Sequence, residues 1–188
     1  FIPSPVFGKL RSLTDPSYSH RFFVDGSPNA GDVYINDHWR TVLVGGLGQG
    51  GQGIYALNIT NPASFDQNAP GAVFLWEFTD RDDGNADNGI SGDADLGYTH
   101  SQPAIVRLRN GKWAAIFGNG YNNTEEDGSV SATGNAVLYI VDIETGRLLR
   151  KLDTGVGAAQ DPLGRSRPNG LATPAVVDIN GDAQVDYV

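Results

Sequence analysis

Neither cysteine nor methionine occurs among the 188 residues. The missing thiols exclude disulfides within the chain, but they leave its compartment open, because bridges can lie in sequence outside it. The missing methionine, initiator included, leads to the expectation that the chain was cut from a longer protein. Long apolar runs are also absent. No stretch approaches the roughly eighteen apolar residues of a spanning helix, and no signal peptide opens the chain, so it reads as a soluble piece without a membrane span. Charge is scarce and one-sided: charged residues make up 19%, and 13 basic side chains face 22 acidic ones, giving a net charge of −9. This balance excludes charge-driven disorder. It disfavours nucleic acid and anionic membrane surfaces as partners and favours a cation.

Glycine is abundant instead, at 25 residues, which in an uncharged, aromatic-containing chain means many turns. Short runs of Val, Ile, Tyr and Phe stand between these turns, and no convincing helix is found. The spacing predicts strands over 32–35, 39–45, 53–59 and 72–78, then over 103–108, 113–118, 136–143 and 148–152. The pair Asn110-Gly111 between two of them is a strong hairpin signal. A third copy begins at Pro174, turns at Asn180-Gly181 and breaks off at Val188. Trp39 and Trp113, like Pro103 and Pro174, recur at a period of about 70–75 residues. Repeated units of four antiparallel strands are the blades of a β-propeller. The fold class expected is therefore all-β, a single incomplete β-propeller domain over 1–188, with blades at 32–79 and 103–153 and the start of a third at 174–188. About two and a half blades cannot close a ring, so a fragment or half of a nicked propeller is expected, with sheet edges that favour association.

Most tempting motifs fail on context. In VGGLGQGGQG, Gly46, Gly48 and Gly51 satisfy G-x-G-x-x-G, but the alternating Ile54-Tyr55-Ala56-Leu57 that follows reads as a strand and not as the helix a dinucleotide site requires. The glycines read as a flexible turn. His20, His38 and His100 stand singly, without zinc-ligand spacing, as solvated or hydrogen-bonded loop histidines. No nucleophile motif, P-loop or H-E-x-x-H occurs, and no catalytic residue is assigned: the chain is expected not to be an enzyme. The segment TDRDDGNADNGISGDADLG carries Asp80, Asp82, Asp83, Asp87, Asp93 and Asp95, and reads either as a flexible acidic insertion or as a weak second cation site.

DINGDAQVDYV is more informative. Counting Asp178 as position one, oxygen side chains fall at one, three, five and nine, on Asp178, Asn180, Asp182 and Asp186, with Gln184 at seven. That is the ligand order of an EF-hand-like calcium loop, carried here between two strands. Position six is Ala183 where such loops place glycine, and no glutamate follows at twelve. A calcium loop and a plain acidic hairpin turn both remain open on these residues. Crowded carboxylates without a counter-ion would repel one another.

Taken in order, HRFFVDGSPNAGDVY, HWRTVLVGGLGQGGQGIYALNITNP, LWEFTD, DLGYTHSQPAIVRL, GKWAAIFGNGYNN and PNGLATPAVVDINGDAQVDYV resemble the C-terminal β-propeller of the PilC/PilY family of type IV pilus tip proteins, over nearly the whole chain. The resemblance implies a bacterial surface protein at the pilus tip, with an adhesive N-terminal region and a propeller serving pilus biogenesis. It implies a Ca²⁺ ion, held at the positions matching Asp178, Asn180, Asp182, Gln184 and Asp186, that supports extension against retraction and twitching motility. Partners implied are minor pilins or tip components, and host or abiotic surfaces through the rest of the protein. An Arg-Gly-Asp tripeptide, found in some members, is absent. A second resemblance is to quinoprotein dehydrogenases: IVDIETGRLL matches their docking repeat at Asp142, Thr145 and Gly146, but has Ile140 for the alanine and Arg150 for the tryptophan. Inter-blade packing is then expected to differ. A third reading is a scaffold propeller in which calcium serves folding only.

Overall fold

The structure, a computed structural model, describes residues 1–90, 92–124 and 130–188. Eight strands form two four-stranded antiparallel sheets, each a meander in which consecutive strands are neighbours. The first sheet contains β1 (Asn29–Ile35), β2 (His38–Gly46), β3 (Ile54–Asn58) and β4 (Phe74–Phe78); the second contains β5 (Ala104–Arg107), β6 (Trp113–Gly118), β7 (Val137–Asp142) and β8 (Leu148–Asp153). The residues are right for this: β-branched and aromatic runs pair along their length, and Asn36-Asp37, both at positive φ, make the tight turn between β1 and β2. Trp39 and Trp113 occupy like places in the two sheets, and their rings meet edge to face with centroids 6.2 Å apart. The sheets stand side by side and do not by themselves close a ring.

The main core lies between the sheets. Val33, Val42, Val44, Ile54 and Phe78 of the first face Phe117, Tyr139 and Val141 of the second, all essentially inaccessible. Phe78, Phe117 and Tyr139 form a triangle with centroids 5.3–5.6 Å apart. The far face of the second sheet buries Val106, Ile116 and Leu138 under Leu171, Val176 and Val185. The second sheet thus covers both faces, as a propeller blade must. Beyond the first sheet, Phe1 packs against Tyr55 and Phe74 at 5.4 Å.

The inter-blade contact that the sequence left unfilled is present, with its parts divided between blades. Trp76, the third residue of β4, is 5% exposed and lies over Gly146 in the β7–β8 turn, while its indole N–H donates to the Ile143 carbonyl at 2.8 Å. Arg150 is likewise the third residue of β8. The expectation of different packing is therefore corrected: between these two blades a tryptophan does dock on the D-x-x-T-G turn, but it comes from the preceding repeat.

Two other expectations also change. A helical turn, α1 (Phe7–Leu10), flanked by 3₁₀ turns at Ser4–Val6 and Arg11–Thr14, escaped the sequence reading. Four residues are too few to show an apolar period, and Pro5 favours such a start. The third repeat is a hairpin with one antiparallel bridge, Val177 to Tyr187, and not a pair of full strands. An isolated two-stranded ribbon is marginal. Here its inner side, Val176 and Val185, rests on the second sheet, while Ile179 and Tyr187 are 69% and 65% exposed.

Candidate functional site

The hairpin at 176–188 turns where the repeat places the β1–β2 and β5–β6 turns, at the same end of the blades. Its backbone is organised around the oxygens read from the sequence. Both carboxylate oxygens of Asp178 accept backbone N–H groups, from Gly181 at 2.7 Å and Ala183 at 2.8 Å. Asn180 Oδ1 accepts from the Asp182 N–H at 3.0 Å, and Asp182 Oδ1 from the Gln184 N–H at 2.9 Å. The amides of Asn180 and Gln184 both donate to Asp182 Oδ2, at 3.2 and 3.3 Å. Asp178, Asn180, Asp182 and Gln184 are thereby brought into one turn, with Asp182 at its hub.

Asp186 is held differently. Its Oδ2 accepts the Ile179 N–H at 3.0 Å, and its Oδ1 pairs with Arg109 Nη2 at 2.6 Å. Arg109, at the β5–β6 turn of the neighbouring blade, holds the Asp186 carboxyl below the usual carboxylate range, assisted by the Ile179 N–H. The three carboxylates of the hairpin do not converge on a point.

Ala183 has φ +60°, the left-handed region that glycine enters freely and an alanine enters at a cost of roughly 1–2 kcal/mol. Ala183→Gly is expected to stabilise the hairpin by about 0.5–1 kcal/mol, the relief being partly offset by the greater freedom of glycine when unfolded. Slower amide exchange from Val177 to Tyr187 is the measurement; unchanged or faster exchange would contradict it.

The acidic segment after β4 is not a loose insertion, which corrects that reading. Asp83 and Asp95 are 0% exposed, and with Asp93 they form, among the described residues, a group of acidic side chains whose oxygens lie within 4.8 Å of one another. The position a cation would take is filled by the Lys151 ammonium of β8. It lies 2.9 Å from Asp83 and 3.0 Å from Asp95 and also pairs with Asp93, with its side chain only 6% exposed. Ser131 donates to Asp95 as well. Burial pushes the Asp95 carboxyl above the usual range, the Ser131 bond opposes that, and the nearby Asp83 charge adds to it. Of the other aspartates, Asp82 caps the turn by accepting the Thr79 N–H, Asp80 accepts the Leu96 N–H, and Asp87 pairs with Arg147. Asn85 and Asn88 donate their side-chain amides to the Leu148 carbonyl on the outer edge of β8. Ser91 of this segment lies outside the described residues.

The glycine run after β2 is likewise a packed turn and not a flexible one. A 3₁₀ turn at Gly48–Gly50 leads to β3, and a Cβ at Gly50 would collide with the Phe23 carbonyl. His20 and His100 are exposed in connecting segments as expected, whereas His38 is exposed but opens β2, with its Nδ1 2.6 Å from the Asn36 carbonyl. What the sequence missed was Lys151: a charged residue in a strand betrays nothing of which face it occupies. No helix in the described residues is long and apolar enough to cross a membrane.

A family model described as the PilY1 beta-propeller domain matches residues 2–188. A type IV pilus biogenesis factor PilY1 homolog of Xylella fastidiosa is 42% identical over 192 residues, covering 100% of this chain and 11% of that protein. The type IV pilus biogenesis factor PilY1 of Pseudomonas aeruginosa is 39% identical over 194 residues, covering 100% of this chain and 14% of that protein. The crystal structure of the Pseudomonas aeruginosa PilY1 C-terminal domain superposes with a TM-score of 0.66 at 37% identity, over 99% of this chain and 30% of that one. The chain therefore spans a small part of the relatives it matches.

Proposed function

The chain belongs to the PilY1 β-propeller family, and from that premise we propose that it is a calcium-binding part of the propeller of a type IV pilus biogenesis factor. In this reading it acts at the pilus tip on the bacterial surface, with minor pilins or tip components as partners. It supports extension against retraction, twitching motility and adhesion. The observation that carries the calcium reading is the turn around Asp182, in which alternate residues already present oxygen atoms on a backbone folded by Asp178. Calcium takes six to eight hard oxygen ligands at flexible distances, and this donor set is all oxygen. Asp178, Asn180, Asp182 and Asp186 would hold the ion through side chains and Gln184 through its carbonyl, and the ion would supply positive charge to Asp178 and Asp182, as Arg109 already does to Asp186.

Arg109 competes for Asp186, so the ion must displace a guanidinium held at 2.6 Å. Affinity no tighter than the sensor range, roughly 10⁻⁷ to 10⁻⁵ M, is expected. Calorimetry on the intact protein tests this: calcium binds the wild type, and Asp182→Ala abolishes the heat. Equal heats in the two would place the ion elsewhere. Arg109→Gln is expected to tighten calcium binding by about tenfold, since it frees Asp186 and removes a like charge; weaker binding would show that Arg109 supports the loop instead.

A further inference from the structure

At the end of the blades opposite the hairpin, Gln49 of the β2–β3 connection, Tyr121 and Asn122 just after β6, and the crossing segment 98–100 line an open groove of about 800 Å³ with the N-terminal arm. We infer that this groove binds an acidic saccharide.

The lining has the required chemistry. Lys9, His20, Arg21 and His100 bring positive or titratable nitrogen, Phe22 and Tyr121 bring rings, and none of the described lining residues is acidic. The described lining thus carries positive charge on a chain whose net charge is −9. Arg21 and Lys9 have no carboxylate partner among the described residues; Lys9 is spent only in donating to the Gly50 carbonyl at 2.6 Å, which ties α1 to the glycine turn. The rings are kept open. Phe22 and Tyr121 are 44% and 50% exposed, each supported at one side by a histidine: His20 against Phe22 at 4.9 Å and His100 against Tyr121 at 5.7 Å. Aromatic rings with a few polar groups beside them in a concave site are the lining that ligand pockets present.

An acidic sugar ring matches both halves of this lining. Its C–H face stacks on an aromatic ring, and its carboxylate suits the guanidinium fork of Arg21. Long polyanions such as nucleic acid are disfavoured by the net charge of the chain. The floor is fixed enough to hold such a geometry. The Tyr98 N–H donates to the Tyr121 carbonyl at 2.7 Å, and buried Thr99 donates to the Gly53 carbonyl at 2.7 Å and accepts the Leu47 N–H at 2.8 Å. The inference is independent of calcium, whose candidate loop lies at the far end.

The test is titration of the intact protein with a galacturonate hexamer, a neutral maltohexaose and a hexaglutamate peptide, with chelator present so that the hairpin plays no part. Saturable binding of the uronate alone is expected, weakened about tenfold or more by Arg21→Ala and by Tyr121→Ala, with thermal melts confirming that both variants fold. No uronate binding, equal binding of maltohexaose or hexaglutamate, or indifference to both lining variants would overturn the inference.

Discussion

Replacing Lys151 with methionine is expected to cost about 3–5 kcal/mol of folding stability at neutral pH, because it leaves Asp83, Asp93 and Asp95 clustered without their counter-charge. The pH dependence has a definite sign. A carboxyl whose pKa is raised on folding, as that of Asp95 is, binds its proton more tightly in the folded state. Its contribution is fully present below the unfolded carboxylate value, about 3.9, and is lost as pH rises through the folded value. Losing the ammonium raises that folded value further. The deficit of Lys151→Met should therefore be largest near pH 7 and shrink towards pH 5. Urea denaturation at the two pH values measures it, and a deficit below about 1 kcal/mol at pH 7 would mean that water reaches the cluster.

Truncating Trp76 to alanine should cost a similar amount, about 3–5 kcal/mol, through the cavity left between blades and the lost donor to Ile143. A double-mutant cycle sharpens the test. A Cβ on Gly146 would come within 2.6 Å of Trp76 Cγ, and Gly146 has φ +72°, so Gly146→Ala alone suffers both a clash and a backbone penalty. In the Trp76→Ala background the clash with the ring is gone, and the backbone penalty and the close approach to the Cβ of residue 76, at 2.7 Å, remain. The two losses should then add to less than their sum by more than about 0.5 kcal/mol, and strict additivity would show that the ring does not rest on that turn.

The strands were legible because their apolar alternation is unbroken and their turns carry Asn, Asp and Gly. The turn built on Asp178, Asn180, Asp182 and Gln184 was legible because oxygen side chains at alternate positions form a local pattern that survives without tertiary context. Two things were not. The partnership of Trp76 with Gly146 joins residues 70 positions apart in successive repeats, so no local window contains it. The acidic segment could be read only as mobile or metal-binding, because its counter-ion is a side chain on β8, and whether a strand residue points inward is decided by packing. The helical turn α1 was missed for want of length.

The asparagine contacts on β8 have one more consequence. An outer strand offers a row of carbonyl and amide groups to which a passing extended segment can add itself. At Leu148 that offer is already taken by the amides of Asn85 and Asn88, while Arg147 beside it is paired with Asp87. The loop thus works as a selvage: it finishes the first stretch of the sheet's margin without being a strand, and so discourages uncontrolled strand addition there.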